Sequence, residues 1–480
     1  MATTATPLDR RPAGDRPRFR MPHVYVVLFV LSGLAALATY LVPASRYERV
    51  LGPDDREMID PSSYGAVESS PTSLVDFVTA IPRGLVDASE VVFFTFVIGG
   101  TFMVLRRTGI IEAALDRTSR RFASRRTLLI PVLITAFAVI ASLIGTQELA
   151  LVYIPVILPV MIALGYDSLT AVAVALVGTT AGFTAGVLNP INTGLGQQIA
   201  GLEPFSGLGL RLLVLLALVV TGSVYVMRYA RRISRSPERG LLHDEPAEAE
   251  KRRLYADGHS GEPLVLTRCQ GAALLTAAPI VGVLVWGVLT QGWFFLEMAG
   301  MFIVLSVVVG LVAGLSVNEV CAAFTEGMRD VLEGAIIVGV ARSVAVVLED
   351  GNILDTVVHA LGNAVDALPA ALAALGMFAV QTLFNFVVPS GSGQAVVTMP
   401  IMAPLADLVG VTRQTSVLAY QLGDGPSNIL YPTSGYFMAA LAIGGVRWEK
   451  WVRFFLPLFG IWVVLSALFL VFAQLTQWNG

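Results

Sequence analysis

The chain has 480 residues, of which 55% are hydrophobic and 14% charged, with a mean hydropathy of +0.72. A soluble domain of that length would carry about 25% charged residues, so the composition points to a polytopic membrane protein. A formal net charge of −3 argues against a nucleic-acid partner, and Cys269 and Cys321, near expected cytoplasmic ends, read as free thiols.

Residues 1–20 hold Arg10, Arg11, Arg16, Arg18 and Arg20 and read as a disordered cytoplasmic tail. The first apolar run, 24–42, is long enough to span a core about 30 Å thick. It ends at Pro43 rather than at a small-residue cleavage site, so no cleavable signal is expected. Span 1 (21–41) delivers residues 43–72, rich in Asp, Glu, Pro and Ser, to the outside as an untethered loop. An amphipathic piece at 74–85 precedes span 2 (90–105). Arg106, Arg107, Arg117, Arg120, Arg121, Arg125 and Arg126 then place an amphipathic helix on the cytoplasmic surface.

The apolar stretch 127–164 is broken by Gly145-Thr146-Gln147-Glu148 into arms of about 17 residues. Loop charges favour a re-entrant hairpin from the cytoplasmic side over two full spans. Span 3 (168–200) is too long for one straight helix and is interrupted at residues 186–192, so a broken helix is expected. Span 4 (208–227) ends in Arg228, Arg231, Arg232, Arg235 and Arg239, and residues 230–268 form a charged linker between two halves. Spans 5 and 6 (271–290 and 294–315) follow, joined outside by residues 291–293, and then span 7 (331–348), with Arg342 at its middle. The surface helix 349–368 carries Glu349, Asp350, Asp355 and Asp366 and no Lys or Arg, so this half is expected to face the other way. Its hairpin (369–408) breaks at residues 389–394. Span 8 (412–444) breaks at residues 424–428 and again near Pro432, and span 9 follows Arg447, Lys450 and Arg453.

Residues 145–194 recur, in disguise, from Ser390 onward. Pro155, Pro159, Gly165, Thr170 and Gly178 fall on Pro400, Pro404, Gly410, Thr415 and Gly423 without a gap, and Pro190 falls on Pro432 after a short deletion. The expected fold is therefore an all-α polytopic membrane protein. It is an inverted repeat, 21–229 and 269–480, with about nine transmembrane helices and two opposed re-entrant hairpins, the N-terminus cytoplasmic and the C-terminus outside the inner membrane. Discontinuous helices in inverted repeats are the mark of secondary transporters, whose substrates sit where the breaks meet.

Irregular backbone persists at membrane depth only where protein, water or ligand supplies partners. The candidate binding residues are those that gather at the breaks. They are Thr146, Gln147 and Glu148; Asn189, Asn192 and Thr193; Ser390, Ser392 and Gln394; and Asp424, Ser427, Asn428, Thr433 and Ser434. Half-helix N-termini suit a carboxylate, and freed carbonyls and hydroxyls suit Na⁺. Thr146, Thr193, Ser392 and Ser434 could equally be plain helix N-caps. Glu148 and Asp424 are ionisable groups deep in spans and are candidates by default; a carboxylate merely held by helix-end amides is the structural alternative. Arg342 could clamp a carboxylate bidentately or simply pair with a buried acid. The sequence around Ser390 has the look of a nucleophile in a glycine turn, but His23 and His359 lie at membrane edges and His243 and His259 in the linker, so no enzyme is expected. With no transition-metal spacing and no phosphate-binding loop, no cofactor is expected, and a Na⁺ or H⁺ gradient, or exchange, must drive transport.

On MPHVYVVLFV from Met21, ARSVAVVLEDGNILDT from Ala341, and NFVVPSGSGQAVVTMPIMAPLADLVG with QLGDGPSNILYPTSGY, the chain resembles YfcC-type members of the C4-dicarboxylate anaerobic carrier family. That family is part of a superfamily that includes arginine/ornithine exchangers and aminobenzoyl-glutamate transporters. The resemblance implies hairpins and broken helices moving elevator fashion against a scaffold, often in a homodimer. It also implies cation sites of Ser, Asn and Thr at the hairpin tips, where this chain has Thr146, Gln147 and Glu148 instead. The expected function is a secondary carrier of a small carboxylate-bearing metabolite, an amino acid favoured over a C4-dicarboxylate. A channel of the same architecture is the alternative.

Overall fold

A computed structural model describes residues 24–51, 57–110, 126–255, 267–291, 293 and 295–480. The expected tail at 1–20 and most of the arginine-rich surface helix lie outside them. Six helices among the described residues are long and apolar enough to cross a membrane, and Tyr25–Leu41 and Arg268–Leu284 are shorter apolar helices. The chain is thus a mostly helical multi-pass membrane protein.

Both expected hairpins are helix–break–helix units. The first comprises Arg126–Ile144 and Ala150–Ala163, and the second Ala370–Phe384 and Gly391–Leu408. The arms are unequal, 19 and 14 residues in the first and 15 and 18 in the second, not about 17 throughout. In both units the arms pack mainly on the following broken helix: Ser168–Ala185 with its continuation Leu195–Ile199, and Arg413–Ser427 with Gly435–Gly444.

Three steps of the repeated residue ladder have a structural cause. Gly165 (φ +86°) and Gly410 (φ +72°) take the left-handed turn that closes the second arm, a conformation that a side chain disfavours. Thr170 and Thr415 are the third residues of their helices, donating backbone N–H to the capping side chains of Asp167 (2.8 Å) and Thr412 (3.1 Å). A methyl on Gly178 would lie 3.1 Å from the Ile134 carbonyl and 3.0 Å from Phe137 Cβ. One on Gly423 would lie 3.0 Å from the Phe378 carbonyl and 2.8 Å from Gln381 Cβ. The same glycine in each copy thus lets the hairpin's first arm close onto its broken helix.

A correspondence that sequence reading missed lies upstream. Leu74–Asp87, opened by a Ser73/Asp76 capping box, precedes Ser89–Arg107, while Val317–Asp330, opened by a Ser316/Glu319 box, precedes Leu332–Asp350. Each amphipathic helix packs on the long helix of the other half. Gly84 abuts the backbone of Gly339 and Ser343, and Gly327 abuts that of Gly99.

The polar segment after the first helix is not untethered. Strand β1 (Ser45–Arg46) pairs with β4 (Gly65–Ala66), and β2 (Arg49–Leu51) with β3 (Glu57–Ile59). The unit docks on helix Leu354–Asp366: Arg49 pairs with Asp355 at 3.0 Å, and Tyr64 stacks on His359 at 3.8 Å. Its anchor is the aromatic and acidic chemistry of that helix, which composition alone does not reveal. Across the molecule, the linker helix Pro246–Tyr255 clasps the ends of both broken helices. Glu248 accepts from Ser168 N (3.1 Å) and Oγ (2.6 Å), and Lys251 Nζ donates to the Gly444 carbonyl (2.8 Å). Cys269 and Cys321 are free and exposed.

If the ladder glycines act by close approach, Gly423→Val should cost about 1–3 kcal/mol by overpacking and lower the melting temperature of the purified protein. Gly209→Ala, where a methyl meets nothing within 4 Å, should leave it unchanged or slightly raised.

Candidate functional site

The four breaks meet. Ser168–Ala185 ends at Gly186, with φ +56°, and the chain restarts at Pro190 as a π turn, Pro190–Gly194. Proline suits this start because its missing N–H would have had no helical partner there. Asn189 Oδ1 accepts from Asn192 N at 3.0 Å, stabilising the restart. The first hairpin turns at Gly145 (φ +83°), where a methyl would run into the Asn189 side chain, and Leu188 N donates to the Ser142 carbonyl at 3.1 Å.

The second hairpin makes the complementary contact. Asn385, at the end of its first arm, donates from Nδ2 to the Asp424 carbonyl (3.1 Å) and to Ser427 Oγ (2.6 Å). A methyl on Gly391, at the start of the second arm, would meet the Asn192 amide and, at 2.9 Å, the Asp424 carboxylate. Pro426 lies inside Arg413–Ser427 and has no N–H to offer the preceding turn. The buried carbonyl of Gly425, in the last turn of that helix, accepts from Gln147 Nε2 at 3.2 Å, from the tip of the first hairpin. Tyr436 donates its hydroxyl to Gln147 Oε1, and Gln421 Nε2 donates to the Phe183 carbonyl at 2.6 Å. Every break therefore supplies a partner to another.

At the centre Asp424 is fully buried; its Oδ1 accepts from Asn428 Nδ2 at 2.9 Å and its Oδ2 has no partner. The half-buried Glu148, at the tip of the first hairpin, accepts from the Thr146 hydroxyl. Nineteen buried side-chain polar atoms among the described residues lack partners, and eleven of them belong to these breaks and the helices that form them. Five are carbonyl or carboxylate oxygens, of Asn385, Gln394, Gln421, Asp424 and Asn428, and five are hydroxyls, of Thr180, Thr184, Thr193, Thr433 and Ser434; the Asn189 amide is the eleventh. Buried polar atoms are nearly always hydrogen-bonded, so this concentration marks a surface built to meet something polar, and its acceptor surplus suits a cation or an ammonium group.

Sequence-expected residues divide accordingly. Thr146, Gln147, Glu148, Asn189, Asn192, Asp424, Ser427 and Asn428 are joined by the contacts above. Thr193 and Ser434 are buried with unbonded hydroxyls, so neither is merely a cap. Thr433 is buried beside Ser434, and Gln394 is buried within the second hairpin, donating to Gln381 Oε1 at 2.6 Å. Ser390 is exposed and caps the second arm by accepting from Gly393 N at 3.3 Å, and Ser392 next to it is half-buried. Arg342 does not join the cluster. It pairs with Asp87 at 3.6 Å and Glu349 at 3.2 Å, because the Leu74–Asp87 helix brings an acid to a position that had looked isolated. Thr180, Thr184, Gln381, Asn385, Gln421 and Tyr436 were missed. Gln381, Asn385 and Gln421 interrupt apolar runs and could have been found on that ground; Tyr436 reads as core. Among the described residues no group of three or more His, Cys, Asp or Glu side chains could hold a metal ion.

A multi-pass helical protein with polar breaks meeting at its centre is built as a membrane transporter. Residues 21–475 match the DcuC family, C4-dicarboxylate anaerobic carriers, and the chain belongs to that family. Over 96% of its length, and 98% of the relative's, it is 33% identical to an Escherichia coli (strain K12) protein named "Putative basic amino acid antiporter YfcC". It is 27% identical to an uncharacterized protein of Haemophilus influenzae, over 94% of this chain and 97% of that one. Among solved structures it is similar, at 16% identity and a TM-score of 0.40, to Neisseria gonorrhoeae MtrF, of a class of antimetabolite efflux pumps, over 94% of this chain and 95% of that one. The Alcanivorax borkumensis YdaH transporter is similar at the same identity and score, over 95% of this chain and 99% of that one. A family of carriers points away from enzymatic chemistry at Ser390.

Replacing Asp424 by Asn keeps the shape and the Asn428 contact while removing the charge. The expected result is loss of transport by at least tenfold with an unchanged gel-filtration profile; full activity in Asp424→Asn would remove the carboxylate from the account.

Proposed function

We propose that this protein is a gradient-driven secondary carrier of a small carboxylate-bearing metabolite, an amino acid in preference to a C4-dicarboxylate, coupled to Na⁺ or H⁺ or working by exchange. The observation that carries the reading is the acceptor-rich set of unpartnered atoms around Asp424. A dicarboxylate brings two negative charges and would face Asp424 and Glu148, whereas an amino acid brings an ammonium group that these oxygens can receive. The name of the Escherichia coli relative, a basic amino acid antiporter, agrees with that preference.

The same reading has the two halves inverted, with about nine crossings, the hairpins entering from opposite sides, the N-terminus in the cytoplasm and the C-terminus outside the inner membrane. Elevator-type movement of the hairpins and broken helices, in a homodimer, would then expose the closed cluster to each side in turn.

The test is uptake into proteoliposomes of radiolabelled lysine, arginine, ornithine, neutral amino acids and succinate, under imposed Na⁺ and H⁺ gradients and with each unlabelled compound preloaded. Saturable, gradient- or exchange-dependent flux of at least one amino acid, exceeding that of succinate, is expected. Absence of flux for all of them sinks the proposal, and unitary currents of ion-channel size would make the protein a channel.

A further inference from the structure

Arg211 stands in the first turn of helix Leu208–Arg235 and is completely buried. Its Nε, Nη1 and Nη2 all lack a hydrogen-bond partner. A guanidinium keeps its charge at any working pH and presents its donors as a planar fork shaped for a carboxylate. Burying one bare is strongly unfavourable unless an anion meets it.

Helix register shows where this fork is aimed. A methyl on Gly222 would collide with Val177 of the first broken helix and with Trp462 of Trp448–Leu475, which fixes those three residues at one level. Tyr229, nearer the end of the helix, donates its hydroxyl to Asp167 Oδ2 (2.7 Å) at the start of the first broken helix, so the two helices run antiparallel. Arg211 precedes Gly222 by eleven residues, which is about three full turns, so both side chains leave the same face. The rise over those residues is about 16 Å, whereas the helix continues only about 12 Å beyond Val177 before ending at Ala185. Arg211 therefore lies level with the first break, where Asn189 Nδ2 is also buried without a partner. The five unpartnered carbonyl and carboxylate oxygens at the breaks belong to the second hairpin and second broken helix.

The geometry points to Arg211 as the group that receives the carboxylate of the transported molecule, with Asn189 beside it, while the oxygens around Asp424 take the cationic end. This rests on the transport reading above. The role of carboxylate clamp moves from Arg342, which is already paired, to an arginine that is not. It also accounts for specificity: an amine without a carboxylate leaves the guanidinium unmet.

The test uses the full chain in lipid nanodiscs and has two arms. In the absence of any added amino acid, Arg211→Met should leave the melting temperature unchanged or raise it, because it removes an unpaired buried charge; a large drop would show that the guanidinium already has a protein partner and would overturn the proposal. In the second arm, binding of L-lysine against cadaverine and of L-arginine against agmatine is measured by thermal shift. The wild type should favour each acid over its decarboxylated amine by more than tenfold. Arg211→Gln should lose that preference and Arg211→Lys recover part of it, whereas Arg211→Gln retaining the preference would overturn the assignment. A wild type that binds each acid and its amine alike would overturn the assignment alone, whereas one that binds neither would overturn the amino-acid reading and the assignment with it.

Discussion

In hydrocarbon a backbone carbonyl or N–H without a partner is costly, and this protein interrupts its helices four times. The interruptions are tolerable because they are mutual. Gln147 of one hairpin tip serves Gly425 of the second broken helix, Asn385 of the other tip serves Asp424 and Ser427, and Leu188 of the first broken helix is tied back to Ser142. Moving any one element alone strips partners from another. The hairpins and broken helices are thus held to one another by the very groups that the interruptions leave free.

The contrast between satisfied and unsatisfied groups separates scaffold from site. Asp167, Thr412 and Ser390 are ordinary caps, each bonded to the backbone of its own helix. Ser434 stands at a cap position yet makes no cap bond, and Thr193 and Asp424 Oδ2 are likewise buried and unbonded. Stability alone would have selected bonded or apolar residues at these points, since a half-satisfied buried network is worse than an apolar core. On the function proposed above, the transported molecule completes the unbonded set.

Much of this was legible in the sequence because the constraints are local. Glycine and proline announce the breaks, and the ladder from Pro155 to Gly178 repeats because turn, cap and close approach each tolerate few residue types. What could not be read were relations between distant segments. Arg342 looked isolated until Asp87 was brought to it, and the loop at 43–72 looked free until Asp355 and His359 of another helix were found holding it. Asn385 and Gln421 were hidden by their apolar surroundings, although a polar side chain in such a run is itself a signal. Arg211 was hidden by its place near a helix end, where an arginine is expected to reach water; only its burial reveals otherwise.

A cavity of about 450 Å³, away from the breaks, lies between the linker helix and the first hairpin and is lined by Arg106, Glu250, Lys251, Glu326 and Asp330 among others. Its mixed charge could also hold a zwitterion, so the location of bound substrate is the decisive observation. The most direct measurement is a cryo-EM structure of the protein in nanodiscs with its transported amino acid. The account predicts substrate density where the four breaks meet, within hydrogen-bond distance of Asp424 Oδ2. Density confined to the cavity beneath the linker, with the Asp424 region unchanged, would contradict it.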